Sequence, residues 1–419
     1  MSITSRFSRF AASLAVIGFM VSGPVPAAAE HEEPDVHFDP RLTLAGLLET
    51  TLERHPQAGV LLAGRGIADA EVSYGRHWFP EVAEIAGFHM SDKTFDDIGA
   101  YENEVAVSLP LWLPGEKKAQ TRLGEAASTA HVSQQAEFRW RVSAALRKQL
   151  WNLKIARRQW ELALEQEQRL ADMLEQVTLF AEAGDLSRAD QLATLQELAI
   201  WKAETLTLEA GYQDAVREYQ ALTGSEAFPS DISENLSEEQ EIREDHPALQ
   251  RAMDRLAEAS ASSEVVRQGN TARPSAQVFW RGFSGDRTSP DVNALGLGLT
   301  VPLGKSPRRG PEIARANEIL ARAEAEVIET RRWLDLQLHE ARHVLKTTGE
   351  QLENSNIMME AASERHSMDK LAFELGEFPL REWLRRLSQQ KEIERSHELL
   401  LLQQGAAVAS YNQAAGETL

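Results

Sequence analysis

The residues with the most recognisable chemistry in this 419-residue sequence are His339-Glu340-Ala341-Arg342-His343, a literal HExxH. Two histidines four apart share one helix face and can hold zinc while the glutamate acts as general base, the arrangement of a metallopeptidase. Such a site needs a third protein ligand. The glycine and histidine that extend the motif in one zinc-peptidase class are missing here, because Lys346 and Gly349 stand at those positions. Glu353, Glu360 and Glu364 follow on the same helical stretch and could reach the pair only if the chain folded back. A zinc metallopeptidase is therefore an alternative reading, not the leading one.

A second set of metal-binding residue types is His31-Glu32-Glu33-Pro34-Asp35-Val36-His37-Phe38-Asp39, whose imidazoles and carboxylates suit borderline divalent metals. A polar terminal segment with no specific role has the same composition. His77, His89, His131 and His366 are scattered and read as surface or capping residues. The chain has no phosphate-cradling glycine loop, no nucleophile elbow and no cysteine. Thiolate metal sites, disulfides and acylation of an N-terminal cysteine are excluded by that last count. No catalytic group, resident metal or cofactor is expected. The net charge of -20 argues against nucleic acid as a partner, since phosphate binding needs a basic face.

The elements around these residues say more. Arg6 and Arg9, an apolar run from about Ala11 to Val21, and the small stretch Ala27-Ala28-Ala29 form the three-part layout of a secretory signal over residues 1–29. The apolar run falls short of the ~20 residues a spanning helix needs, and no later stretch approaches that length. If the mature protein sits in a membrane, it does so as a barrel. Aromatics are only 7% of the sequence, and Ala, Leu, Glu, Gln and Arg dominate long stretches, which suits long helices better than a large globular core.

An internal repeat organises the chain. His55-Pro56 recurs as His246-Pro247, Pro80 as Pro274, Leu109-Pro110-Leu111 as Val301-Pro302-Leu303, and Ala183-Gly184-Asp185 as Leu375-Gly376-Glu377, at offsets of 191, 194, 192 and 192. Four landmarks in one order make a duplication. Residues 30–224 form the first repeat, 225–245 a linker and 246–419 the second repeat. Each repeat reads helix, strand, strand, long helix, turn, helix.

Val105, Val107, Leu109 and Leu111 alternate with Glu104, Ala106 and Ser108, and Leu295, Leu297, Leu299 and Val301 alternate with Ala294, Gly296, Gly298 and Thr300. Strand partners at about Pro80 to Met90 and Ser275 to Phe283 precede them through turn-rich connections, so each repeat carries a hairpin. Four strands are too few for a membrane barrel, whose smallest versions have eight. The strands either belong to a half-buried soluble sheet or are shared among subunits, and three chains give twelve.

The stretches from Pro114-Gly115 to Gly184 and from Pro311 to Gly376 read as helices of about 68 and 65 residues, roughly 100 Å long at 1.5 Å per residue. Flanking helices at about Leu44 to Tyr74, Leu186 to Leu222, Pro247 to Gln268 and Leu380 to Gln413 are near half that length, so two stacked end to end match one long one. Leu146, Leu150, Leu153, Trp160 and Leu164 mark an amphipathic stripe.

The turns Ala183-Gly184-Asp185-Leu186-Ser187-Arg188-Ala189-Asp190-Gln191-Leu192 and Leu375-Gly376-Glu377-Phe378-Pro379-Leu380-Arg381-Glu382-Trp383-Leu384 resemble those of the TolC-like outer membrane efflux proteins. The strand exits Ser108-Leu109-Pro110-Leu111-Trp112-Leu113-Pro114-Gly115 and Thr300-Val301-Pro302-Leu303-Gly304 are similar to that family's other hallmark, where proline turns barrel strand into helical tunnel. The resemblance covers nearly the whole mature chain.

It implies a mostly α protein with a membrane β-barrel: a homotrimer with a 12-stranded barrel in the outer membrane lipid and a long helical barrel in the periplasm. Its tips engage a periplasmic adaptor protein fed by an inner-membrane pump of the resistance-nodulation-division type. The exit Leu111-Trp112-Leu113-Pro114-Gly115 also resembles the heavy-metal-cation branch. The expected role is a passive export conduit. Gly184, Asp185, Asp190, Gly376 and Glu377 are then adaptor-binding or gating tip residues, and Pro110 and Pro302 mark the barrel-to-tunnel transition. Carboxylates at Asp185, Asp190, Glu377 and Glu382 fit a cation-attracting constriction, and they equally fit acidic residues complementing a helix dipole. A periplasmic coiled-coil scaffold or adaptor is a third reading, for which the paired strands and duplicated half-length helices are unexpected.

Overall fold

The computed structural model describes residues 36–419 except 185, 270–272, 305, 306 and 308; the expected secretory signal over residues 1–29 and the segment His31 to Asp35 lie outside the described residues. The first repeat runs β1 (His37–Asp39), α1 (Leu44–Arg54), α2 (Ala58–Arg76), β2 (Glu84–Ser91), β3 (Tyr101–Pro110), α3 (Glu116–Ala183) and α4 (Arg188–Thr223). After β4 (Ala227–Pro229), the second runs α5 (Pro247–Gly269), β5 (Ser275–Ser284), β6 (Val292–Thr300), α6 (Arg309–Glu374) and α7 (Leu380–Ala414). Two helices of 68 and 66 residues thus alternate with helices of 36 and 35, each long one about 100 Å from end to end.

The four strands β2, β3, β5 and β6 form one antiparallel sheet in that order, so each repeat contributes a hairpin and β3 joins β5 across the duplication. Glu84, Ser108, Gln277 and Gly298 share one row of the register, which places all four strand-to-helix connections at the same end. The outer strands β2 and β6 are both open edges within the chain.

Two features depart from the sequence expectation. The helix expected from Leu44 to Tyr74 is two helices, because Pro56 cannot donate its backbone N–H and pushes His55 to an extended conformation at ψ 133°. The His55 ring then restarts the helix: its Nδ1 accepts the Gln57 N–H at 3.1 Å. The same device opens α5, where His246 Nδ1 accepts the Ala248 N–H at 3.2 Å. The second departure is the parallel pair of β1 and β4, three residues each, which the sequence did not suggest. In it the His37 backbone N–H donates to Glu226 O at 3.0 Å, and beside it Asp39 Oδ1 accepts the Arg41 N–H at 2.8 Å.

The core sits at mid-length of α3, where Leu146, Leu150 and Leu153 meet Val216 and Tyr219 of α4, Leu47 and Leu48 of α1, and Phe228 and Ile232 of the linker. A second set, Trp140, Leu249 and Leu334, joins α3 to α5 and α6. Between them Arg147, 4% exposed, holds Glu234 through Nε at 2.9 Å and Nη2 at 2.6 Å, and donates to Glu417 O at 2.8 Å and to the Gln413 side chain. Asn412 and Tyr411 add hydrogen bonds to the linker at Asn235, Ser237 and Glu239, so the linker is strapped to the middle of α3 and the end of α7.

Candidate functional site

The surfaces that could carry function are the sheet faces, the junctions beneath the sheet and the two far helix turns. The sheet is two-faced because strand side chains alternate. One face presents Ile85, Val105, Val107, Leu109, Val278, Trp280, Leu295, Leu297 and Leu299, and Leu295 and Leu297 are 82% and 85% exposed. The other mixes Glu102, Glu104, Ala106, Ser108, Gln277 and Arg281 with Phe88, Met90, Phe279 and Phe283, and Arg281 bridges Glu102 at 3.1 Å and Glu104 at 2.6 Å. Strands of 8 to 10 residues are close to the ~9–11 that a tilted membrane strand needs. Among the described residues no helix is long and apolar enough to cross a membrane.

At the junctions, Pro110 ends β3 and pairs with Ser275, while Pro302 follows the end of β6. The chain bends there under a polar clamp that the sequence did not announce. Buried Glu116 accepts the Leu113 N–H at 3.0 Å and the Arg273 guanidinium at 2.5 Å, and Arg273 also meets Glu81. Both partners sit beside prolines, but nothing in local periodicity pairs residues 157 positions apart.

The far turns reverse the chain in the left-handed conformation that a β-carbon disfavours. Gly184 has φ 88° and Gly376 has φ 76°, and a Cβ at either would meet nothing within 4 Å, so the demand is backbone alone. The first turn is closed by a capping box: Asp190 N–H donates to Ser187 Oγ at 3.2 Å, while Asp190 Oδ2 accepts from the Ser187 hydroxyl at 2.6 Å. Gln191 Nε2 adds a bond to Thr178 Oγ1 at 3.0 Å, tying α4 back to α3. Asp185 lies outside the described residues.

The second turn is built differently. Trp383 is stacked between Phe373 at 5.4 Å and His366 at 5.4 Å, and the Arg386 guanidinium lies 4.7 Å from the Phe378 ring. Glu382 accepts from Arg385 at 2.7 Å and Arg386 at 2.8 Å, and those guanidinium bonds hold its carboxyl down to about 2. Asp369 also pairs with Arg386. Of the carboxylates expected at the tips, Asp190 and Glu382 are thus engaged in local caps and pairs, and Glu377 stands exposed beside the turn. The aromatic stack is a feature that sequence reading missed; its signal was four rings within thirteen residues of a glycine turn.

His339, Glu340 and His343 sit on the exposed side of α6, one residue beyond buried Leu338. Glu340 accepts the Gln337 side-chain N–H at 3.2 Å, and Arg342 reaches the Gln240 carbonyl of the linker. Among the described residues there is no group of three metal-ligating side chains.

No family model matches the sequence, and no curated protein matches it. Solved structures do. The outer membrane protein VceC of Vibrio cholerae superposes with a TM-score of 0.69 at 13% identity, covering 90% of this chain and 96% of that one. A membrane protein from Pseudomonas aeruginosa gives 0.69 at 17% identity over 89% and 93%. The MtrE outer membrane channel of Neisseria gonorrhoeae, in its open state, gives 0.66 at 15% identity over 90% and 89%. The two β-hairpins and the long helices of 68 and 66 residues all fall within a fold shared with these outer-membrane channels. The fold of this chain is the TolC-like fold of the outer-membrane efflux proteins.

Proposed function

We propose that the chain is the outer-membrane channel subunit of a tripartite efflux pump and not an enzyme. In this reading residues 1–29 direct export without lipidation, and residues 30–224 and 246–419 are the two repeats flanking the linker 225–245. Three copies close their open β2 and β6 edges into a 12-stranded barrel in the outer membrane. The helices continue it through the periplasm, and a periplasmic adaptor, itself fed by an inner-membrane resistance-nodulation-division type pump, docks at the tips around Gly184, Asp185, Asp190, Gly376 and Glu377. Heavy-metal cations are the cargo suggested by the strand exit Leu111-Trp112-Leu113-Pro114-Gly115.

The observation that carries this reading is the sheet: one face apolar and exposed over the half nearest the helices, from Ile85, Val105, Val107, Trp280, Leu295 and Leu297, and both edges open. In water such a sheet is an aggregation site, whereas in lipid it is a wall segment. The conduit needs no catalytic group, because it is driven by what is delivered to it.

The test is purification and reconstitution. A heat-modified, detergent-requiring trimer with ionic conductance in planar bilayers is expected, together with loss of export in a strain lacking the chain. A detergent-free monomer would overturn it in favour of a scaffold. Export abolished by Glu340→Gln at normal trimer abundance, or peptidase activity lost with chelator, would revive the zinc reading.

A further inference from the structure

The two faces of the sheet exchange character halfway along the strands. In the rows nearest the helices one face holds large apolar side chains, Val107 and Leu297 among them, and the other holds Glu84, Ser108, Gln277 and Gly298. Farther out the first face turns polar: His89 and Asn103 share a 2.7 Å hydrogen bond, and Asn293 completes their row. There the second face gains the rings. Phe88, Met90 and Phe283 are 52%, 51% and 40% exposed on it, and Phe279 stands nearer the helices beside Ala106 and Gly296. Contiguous exposed rings of this kind mark a surface that binds something.

The rings are interleaved with charge. Phe88, Glu104 and Arg281 share one register row, and Met90, Glu102 and Phe283 share another on the same face. The Arg281 guanidinium bridges Glu102 at 3.1 Å and Glu104 at 2.6 Å, and it lies 5.7 Å from the centroid of the Phe279 ring. Room for that ring is made by Gly296 on the neighbouring strand, where any β-carbon would collide with it. The face thus already holds one planar organic cation between rings and carboxylates, and with two carboxylates to one guanidinium it keeps a negative charge uncompensated. A cation within about 6 Å of a ring face is attracted by the ring quadrupole, and a weakly hydrated one gives up the least water in going there.

We propose that Phe88, Phe279 and Phe283, with Glu102 and Glu104, line a binding site in the outer half of the conduit for organic cations that carry an aromatic group. The site rests on the barrel reading above, in which this face is the lumen and three copies ring it. Its ligand class lies beyond the metal ions named there, because a hydrated metal ion would meet the carboxylates and gain little from the rings. The occupant is a cation because the carboxylates outnumber the guanidinium. It is aromatic because the exposed surface around them is.

The probe is benzyltrimethylammonium, and butyltrimethylammonium is the cation of equal charge that lacks the ring. Binding to the full-length protein in phospholipid nanodiscs is followed by saturation-transfer NMR, with empty nanodiscs as the blank. The benzyl compound is expected to bind severalfold more tightly than the butyl one. Phe88→Leu and Phe283→Leu keep apolar volume and remove the ring, so each should weaken the benzyl compound by about two- to fivefold and leave the butyl compound unchanged. Glu104→Gln should weaken both.

The proposal is overturned if the two cations bind alike or if neither binds. It is equally overturned if Glu377→Gln, at the second glycine turn, abolishes binding that Phe88→Leu and Phe283→Leu leave intact, since the site would then lie at the tip. A chain that enters the discs without forming a trimer ends the barrel reading, and with it the lumen this site requires. Ring positions on two different strands keep the test decisive if one variant assembles poorly.

Discussion

The Arg147 strap offers the sharpest test of how the linker holds the two repeats together. Arg147→Met keeps the apolar stem of the side chain and removes the guanidinium with its charge. It strips Glu234 of three guanidinium hydrogen bonds at 2.9, 3.1 and 2.6 Å, leaving that carboxylate with Asn412 Nδ2 at 3.3 Å. Breaking one side of a buried ion pair costs about 3–5 kcal/mol, mostly because the remaining charge stays desolvated. Glu234 retains 13% side-chain exposure and can relax toward water, so the lower end, about 3 kcal/mol per protomer, applies here. Replacing both partners removes the orphaned charge, and Arg147→Met with Glu234→Gln should recover at least half of the loss. The assay is the midpoint of the heat-driven trimer-to-monomer conversion at a fixed scan rate, since unfolding of such assemblies is read kinetically. Proteolysis between residues 225 and 245 provides a local readout. The reasoning fails if the single variant melts like the parent, or if the double variant melts as low as the single.

Three further outcomes are expected. Gly184→Val and Gly376→Val should each strain the turn by about 1–2 kcal/mol and leave membrane insertion normal, while export and crosslinking to the adaptor fall; undiminished export in both would make the turns mere connections. Leu297→Arg, on the exposed apolar sheet face, should impair assembly, a lipid-facing charge costing about 2–4 kcal/mol near the midplane, whereas Ser108→Asn on the opposite face should be mild; equal amounts of trimer in outer membranes would refute the facing. Burial holds His246 down to about 4 against an ordinary 6.5, so between those values the unfolded chain takes a proton that the folded chain refuses. Stability should therefore fall as pH drops from 6.5 toward 4, by about 2 kcal/mol per protomer at pH 5, and His246→Asn, which can still accept the Ala248 N–H, should flatten the melting midpoint against pH.

What could be read in the sequence was whatever repeats or alternates. Val105, Val107 and Leu109 announce a strand with one greasy face, and the structure leaves that face exposed as one side of a shared sheet. The glycine turns were legible because a left-handed residue between two long apolar periodicities has few substitutes. The His-Pro landmarks were legible as a repeat but not as a device; only the coordinates show each imidazole accepting an N–H two residues on and lying edge-on to an aromatic of α3, His55 to Phe138 at 4.9 Å and His246 to Trp140 at 5.0 Å. Illegible features join positions with no shared period. Arg147 and Glu234 are 87 residues apart, and β1 and β4 are three residues each, too short to show alternation.

The duplication also explains why the most chemical-looking motif is an exposed helix face. His339 stands 192 residues after Arg147, so the two occupy equivalent places on the long helices of their repeats. In the first repeat that place is roofed by the linker and the end of α7, and a buried residue there must satisfy Glu234, Gln413 and the Glu417 carbonyl at once. In the second repeat Leu338 faces the core with Tyr411, Ala414 and the linker's Ile242, Arg342 reaches the linker at Gln240, and His339 itself turns outward. One position is thereby constrained by a network and the other only by solubility, for which histidine and glutamate serve as well as any polar residue. The tips follow the same logic in reverse. Their backbones are alike, with glycine at φ 88° and 76°, but one is closed by a Ser187–Asp190 capping box and the other by a Phe373–Trp383–His366 stack with a paired Glu382. Symmetry in this chain is a property of the frame, and the differences gather under the linker at mid-helix and at the two glycine turns.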